Sequence, residues 1–142
     1  MPTAGQILKA LEKHLKNRMT GDGKELREWA SKIVNPETFY VPAHQFEWGD
    51  GLILRAARMR VHGRVLNQLM QMPNSRHPTQ PLTTEERLDK IEHMVDKGLL
   101  WSAKFPSKST SQGSNIIHEY ETQAWSELLE AIRDPWSLDG LW

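Results

Sequence analysis

The chain has 142 residues, of which 38% are hydrophobic and 25% charged, enough for one well-buried core and short for two. Eighteen basic residues balance eighteen acidic ones, so nucleic-acid binding through the whole surface is disfavoured and any such contact has to be a local patch. The absence of cysteine excludes a disulfide scaffold and every thiolate-ligated metal site, and it fits a reducing compartment.

The opening MPTAGQILKALEKHLK lacks the continuous apolar core of a secretory signal. No run approaches the ~18 apolar residues of a membrane helix. A cytoplasmic location with no membrane partner is expected. Thr3 to Met19 predicts an amphipathic helix, with Ile7, Leu8, Leu11 and Leu15 at 3-4 spacing and Thr3 as its cap. Gly21-Asp22-Gly23 predicts its end. A second helix follows from about Lys24 to Val34, burying Leu26, Trp29, Ala30 and Ile33 and ending at Asn35-Pro36. Residues 36 to 49 read as an extended aromatic connector, because Pro42 prevents a regular central strand.

Asp50 to Met72 contains no proline, with Asp50 as its expected cap. Leu52, Ala56, Met59, Leu66 and Met70 fall on one side of the helical wheel, and Leu54, Ala57, Val61 and Val65 on another. Apolar residues on two sides predict a central helix enclosed by its neighbours, and Met72-Pro73 closes it. The intervening arginines, Arg55, Arg58, Arg60 and Arg64, suit pairing with carboxylates while their stems cover apolar surface; a patch for nucleic acid or an acidic partner is the sharper alternative.

Leu82 to Leu100 has the clearest punctuation. Thr83 and Glu86 form a capping box, Leu88, Ile91, Val95 and Leu99 one apolar stripe, and Gly98 stands where a glycine following a helix belongs. Lys90, His93 and Lys97 line one polar side, and Glu85, Asp89 and Asp96 the other. Trp101 to Phe105 and Ile116 to Glu121 then predict two strands joined by the polar tip 106–115. Thr122 to Arg133 predicts a closing helix with Trp125, Leu128, Leu129 and Ile132 inward, ended by Asp134-Pro135.

These elements predict a mainly helical α+β fold: a single domain over 1–142, with about five helices around the 50–72 helix and one C-terminal β-hairpin. Its parts are an N-terminal helical pair (1–35), a region over 50–133 and a tail (134–142). The words IEHMVDKGLLWSAKF and NIIHEYE resemble the recognition helix and wing of the winged-helix domain in MarR-like repressors. The resemblance covers roughly residues 50 to 133. It implies duplex DNA as partner, a homodimer, and a role in regulating transcription or replication. On that resemblance Arg87, Lys90, His93 and Lys97 would face the groove, while Lys104, Lys108, Ser109 and Thr110 would touch phosphates. Glu85, Glu86, Asp89 and Asp96 oppose such contacts. With zero net charge and six tryptophans, they support a rival: an interaction or inhibitor module whose partner is a protein.

No nucleophile elbow, phosphate-binding glycine loop or catalytic cysteine is present, and no histidine pair has metal-ligand spacing. The expectation is a non-enzyme with no catalytic residues, metal or cofactor. The tail DPWSLDGLW offers Trp136, Leu138, Leu141 and Trp142, either folded back to seal the core or free as a short peptide for a partner's groove.

Overall fold

The two N-terminal helices expected from the sequence are one. In the computed structural model, which describes residues 2–34, 42–75, 82–104 and 112–138, helix α1 runs without a break over Ala4–Val34. It starts at the expected cap: the Gln6 N–H donates to Thr3 Oγ1 at 3.2 Å, and Gln6 Oε1 accepts from the Thr3 N–H at 2.9 Å. Ile7, Leu8, Ala10, Leu11 and Leu15 are buried. The expected stop at Gly21-Asp22-Gly23 fails because the neighbouring helix grips this turn. Arg58 Nη2 donates to the Asp22 carboxylate at 2.5 Å, and Met59 Cε lies 3.8 Å from where a Cβ on Gly23 would be. Two interior glycines cost about 0.5–1 kcal/mol each relative to alanine, a penalty that tertiary contacts of this kind offset.

Helix α2 spans Pro42–Ser75, so Pro42 opens a helix, a position proline tolerates because its missing N–H has no intrahelical partner there. Asp50 is therefore inside the helix, where its carboxylate accepts from the Tyr120 hydroxyl, and the expected end at Met72-Pro73 is overrun. The helix is not enclosed on two sides. Ala57, Val61, Val65 and Leu69 form one buried stripe, Leu52, Leu54, Met59 and Leu66 are half-buried shoulders, and Ala56 and Met70 are exposed. What makes α2 central is its neighbours, since it packs on all three other helices.

The expected β-hairpin is absent, and no strand occurs among the described residues. Helix α3 covers Thr84–Lys104 and takes in Trp101 to Lys104; helix α4 covers Gln112–Arg133 and takes in 116–121. The winged-helix architecture and the α+β class are thereby overturned in favour of four α-helices among the described residues. The cause lies in packing. Glu121, Ala124, Trp125, Leu128, Leu129 and Ile132 continue a 3-4 spacing that buries one face of α4. The β preference of Ile116, Ile117 and Tyr120 is too weak to oppose that burial. The Thr83–Glu86 cap forms, with the Glu86 N–H donating to Thr83 Oγ1 at 3.2 Å. Gly98 does not end the helix. It is the place where the Trp125 indole seats, and a Cβ there would stand 2.6 Å from Trp125 Cε2.

Pairs such as Glu25 with Arg55 and Trp29 with Gly51 show α1 and α2 to be antiparallel, as Glu92 with Arg133 and Trp101 with His118 show for α3 and α4. The two helical pairs meet through α2 against α4 and α1 against α3, each parallel, around one core to which all four helices contribute. After α4 a short 3-10 turn, Pro135–Ser137, folds the chain back so that Pro135 and Leu138 are buried. The outer connector residues 36–41 and the tip residues 106–111 lie outside the described residues.

Gly21 and Gly98 therefore respond in opposite ways to the same added methyl. Nothing lies within 4 Å of a Cβ on Gly21, so Gly21→Ala should stabilise by about 0.5–1 kcal/mol. Gly98→Ala should destabilise by about 1–3 kcal/mol, because the indole has to leave its seat. Urea denaturation of both variants checks the sign of each.

Candidate nucleic-acid interface

Because α3 continues through Gly98, the basic side expected over Lys90, His93 and Lys97 extends by about two more turns. Residues 90, 93, 97, 101 and 104 follow helical spacing, so Lys90, His93, Lys97, Trp101 and Lys104 share one stripe, and all five are exposed. At 1.5 Å per residue the stripe is about 21 Å long. The acidic residues Glu85, Asp89 and Asp96 flank it. Two carboxylates near it are engaged: Glu86 takes part in the Thr83 cap, and Glu92 accepts from Arg133 Nε at 3.1 Å.

At its C-terminal end the stripe borders a groove of about 490 Å³ whose cationic walls are Arg64, Lys97 and Lys104 and whose apolar walls include Leu100, Trp101 and Trp125. Leu100 and Trp101 are 53% and 55% exposed, unusual for side chains of that size in a bundle. Trp101 is held from below. Its ring meets the His118 imidazole edge-on, with centroids 5.8 Å apart and planes at 71°. His118 Nδ1 stands 3.6 Å from Glu121 Oε2, and Glu121 Oε1 stands 3.3 Å from Arg60 Nε. Glu121 is 2% exposed. A carboxylate at that depth needs its cation, and Arg60 supplies it from the rim.

The remaining expected site residues are dispersed. Arg87 is half-buried on the flank of α3 that faces Leu8 and Leu69, away from the stripe. Lys108, Ser109 and Thr110 lie outside the described residues, as do Leu141 and Trp142. Of the tail, Trp136 is 49% exposed and Leu138 is a core side chain. Two of the α2 arginines pair with carboxylates of α1, Arg55 with Glu25 and Arg58 with Asp22, and Arg60 reaches Glu121 of α4. Arg64 instead joins the groove. Trp101 is absent from the site residues expected on sequence, and Arg64, expected there only within an α2 arginine patch, joins the α3 stripe instead. The signal for Trp101 was its place four residues beyond Lys97, which counts only if the helix passes Gly98.

Among the described residues no group of three or more histidine or acidic side chains could hold a metal ion, and no helix is long and apolar enough to cross a membrane. No protein-family description, curated protein or solved structure matches the chain.

The Arg60–Glu121 contact can be weighed by double substitution. Arg60→Ala should cost about 1–3 kcal/mol by leaving a buried carboxylate short of its partner. Arg60→Ala combined with Glu121→Gln should be more stable than the two single losses added together, with a coupling above about 0.5 kcal/mol. Chemical denaturation of the four proteins in the cycle measures it.

Proposed function

We propose that the protein is a non-enzymatic, cytoplasmic helical bundle that binds duplex DNA through the exposed stripe of α3. The observation that carries this reading is the alignment of Lys90, His93, Lys97, Trp101 and Lys104 on one straight helical face, with Arg64 of α2 beside it. Lysines at successive turns contact phosphates as point charges, and each neutralised phosphate releases condensed counterions. Trp101 offers a flat apolar surface at the edge of the cationic groove, where it would cover sugar or a frayed base. The stripe explains how a chain of zero net charge could hold a polyanion: its charges are sorted by side, with Glu85, Asp89 and Asp96 along one flank and Glu86 and Glu92 engaged by Thr83 and Arg133. A protein partner is the second reading, favoured by the exposed Leu100 and Trp101 side by side with the acidic flank.

Binding to a random duplex should weaken steeply with salt. In the Lys90→Ala/Lys97→Ala/Lys104→Ala variant the slope of log affinity against log salt should fall by about 2–3, roughly 0.9 per lost phosphate contact. Fluorescence anisotropy of a labelled duplex across a salt series measures both quantities. Equal affinity and equal slope for the parent and triple variant would remove the stripe from any DNA contact and leave the protein reading in front.

A further inference from the structure

A second polar site lies on the face of the bundle made by α1, α2 and α4, to which α3 contributes no residue. A recess of about 240 Å³ is lined by His14 and Arg18 of α1, Arg58 and His62 of α2, Glu127 of α4 and Ser137 of the 3-10 turn. This volume is below that of a typical site for a drug-sized ligand and suits a small ion or a single charged group. Four of its six polar walls are cationic or can become so.

His62 is 5% exposed, yet its Nδ1 finds no hydrogen-bond partner among the described residues. Arg58 gives Nη2 to the Asp22 carboxylate at 2.5 Å, while its Nε is likewise buried without a partner. A buried donor or acceptor left unmatched costs about 1–3 kcal/mol, and two unmatched groups at one recess point to a ligand that completes them. The sign of that ligand follows from the walls. Two guanidinium groups, whose planar forks match tetrahedral and carboxylate oxygens, and two imidazoles call for an oxyanion.

We propose that this recess binds a phosphate-class oxyanion, inorganic phosphate or the phosphate of a monoester, held by Arg18, Arg58, His14 and His62. Charge balance makes the binding pH-dependent. From α1, Asp22 already shares the charge of Arg58; from α4, Glu127 opposes an anion; and Arg18 lines the same recess from α1. With His62 neutral the two guanidinium groups are close to balanced by the two carboxylates, so the attraction for an oxyanion grows when His62 takes up a proton. Without the anion His62 resists protonation: burial first, then the nearby His14, Arg58 and Arg18, push its pKa from 6.5 down to about 4. A bound oxyanion cancels those cationic neighbours and gives the imidazolium a partner, so binding draws a proton onto His62.

In the free protein the folded state binds fewer protons than the unfolded chain between the ordinary His62 value and the lowered one, so stability is full above about pH 6.5 and is lost as pH falls toward 4. Phosphate should restore part of that loss.

The test is a titration of the full chain with sodium phosphate at pH 5.5 and at pH 8, at ionic strength matched by sodium chloride, followed by melting temperature and by the His62 imidazole NMR signals. The expected result is a phosphate-specific rise in melting temperature at pH 5.5, at least tenfold weaker affinity at pH 8, and movement of the His62 signals toward the protonated form on binding. Arg18→Gln, at an exposed position that leaves the core intact, should weaken binding about tenfold or more. His62→Gln should remove the pH dependence; should His62→Gln not fold, Arg18→Gln and the His62 signals of the parent protein decide alone. A response to phosphate no larger than to chloride, unmoved His62 signals, or an unchanged affinity in Arg18→Gln would overturn the site.

Discussion

A methyl group cannot be added at Gly98 without striking the indole of Trp125, and none can be added at Gly51 without striking that of Trp29, which would lie 2.8 Å away. Each helical pair is thus closed by one tryptophan seated on one glycine of the partner helix. The seat sets how closely the two axes approach, and with it the depth at which the flanking side chains interlock. In the first pair the same ring carries the Arg55 guanidinium 4.9 Å above its centroid, and that arginine also pairs with Glu25. In the second pair the seat brings α3 against α4 closely enough for Trp101 to rest on His118 one turn further along. The exposed edge of the candidate interface therefore depends on a contact made in the core.

α2 carries the ionic organisation of the bundle. Its arginines reach outward in both directions, to Glu25 and Asp22 on α1 and to Glu121 on α4, and two of those three carboxylates are deeply buried. Buried carboxylates contribute little net stability compared with apolar side chains of the same volume, but they penalise any register in which their cations are displaced. A bundle whose apolar stripes are rich in Leu, Val and Ala could slide by a turn at small cost. Asp22, Glu121 and their arginines make such a slide expensive.

Which parts of this could be read in the sequence follows from the range of each interaction. The caps at Thr3 and Thr83 were legible because they involve residues three apart, and so were the stripes of Leu8, Leu11 and Leu15 and of Ile91 and Val95. The failures share one origin. Gly21, Gly23 and Gly98 look like terminators when judged by propensity alone, and Trp101, Ile116 and Tyr120 look like strand residues. For the glycines the deciding partner (Arg58, Met59 or Trp125) is distant in sequence, and for the strand-like residues it is burial of helical faces against the rest of the bundle; neither can be located before the fold is known. Reading a stop at Gly98 also split the α3 stripe, which is why Lys104 was assigned to a wing and Trp101 to a strand. The recess around His62 was illegible for the same reason, since its walls come from residues 14, 18, 58, 62, 127 and 137.

Helix α1 also has a mechanical asymmetry. Up to Leu15 it is anchored by buried leucine, isoleucine and alanine; beyond Asp22 no described side chain of the helix is buried, Leu26 and Trp29 are half-buried, and Glu25 pairs with Arg55. Opening free energies track buried apolar contact, so the two halves of this continuous helix belong to different cooperative units. Amide hydrogens between residues 7 and 19 should exchange only through global unfolding. Those beyond the glycine pair should exchange through a fraying motion that leaves the rest of the bundle intact, with Gly21 as the point where protection steps down.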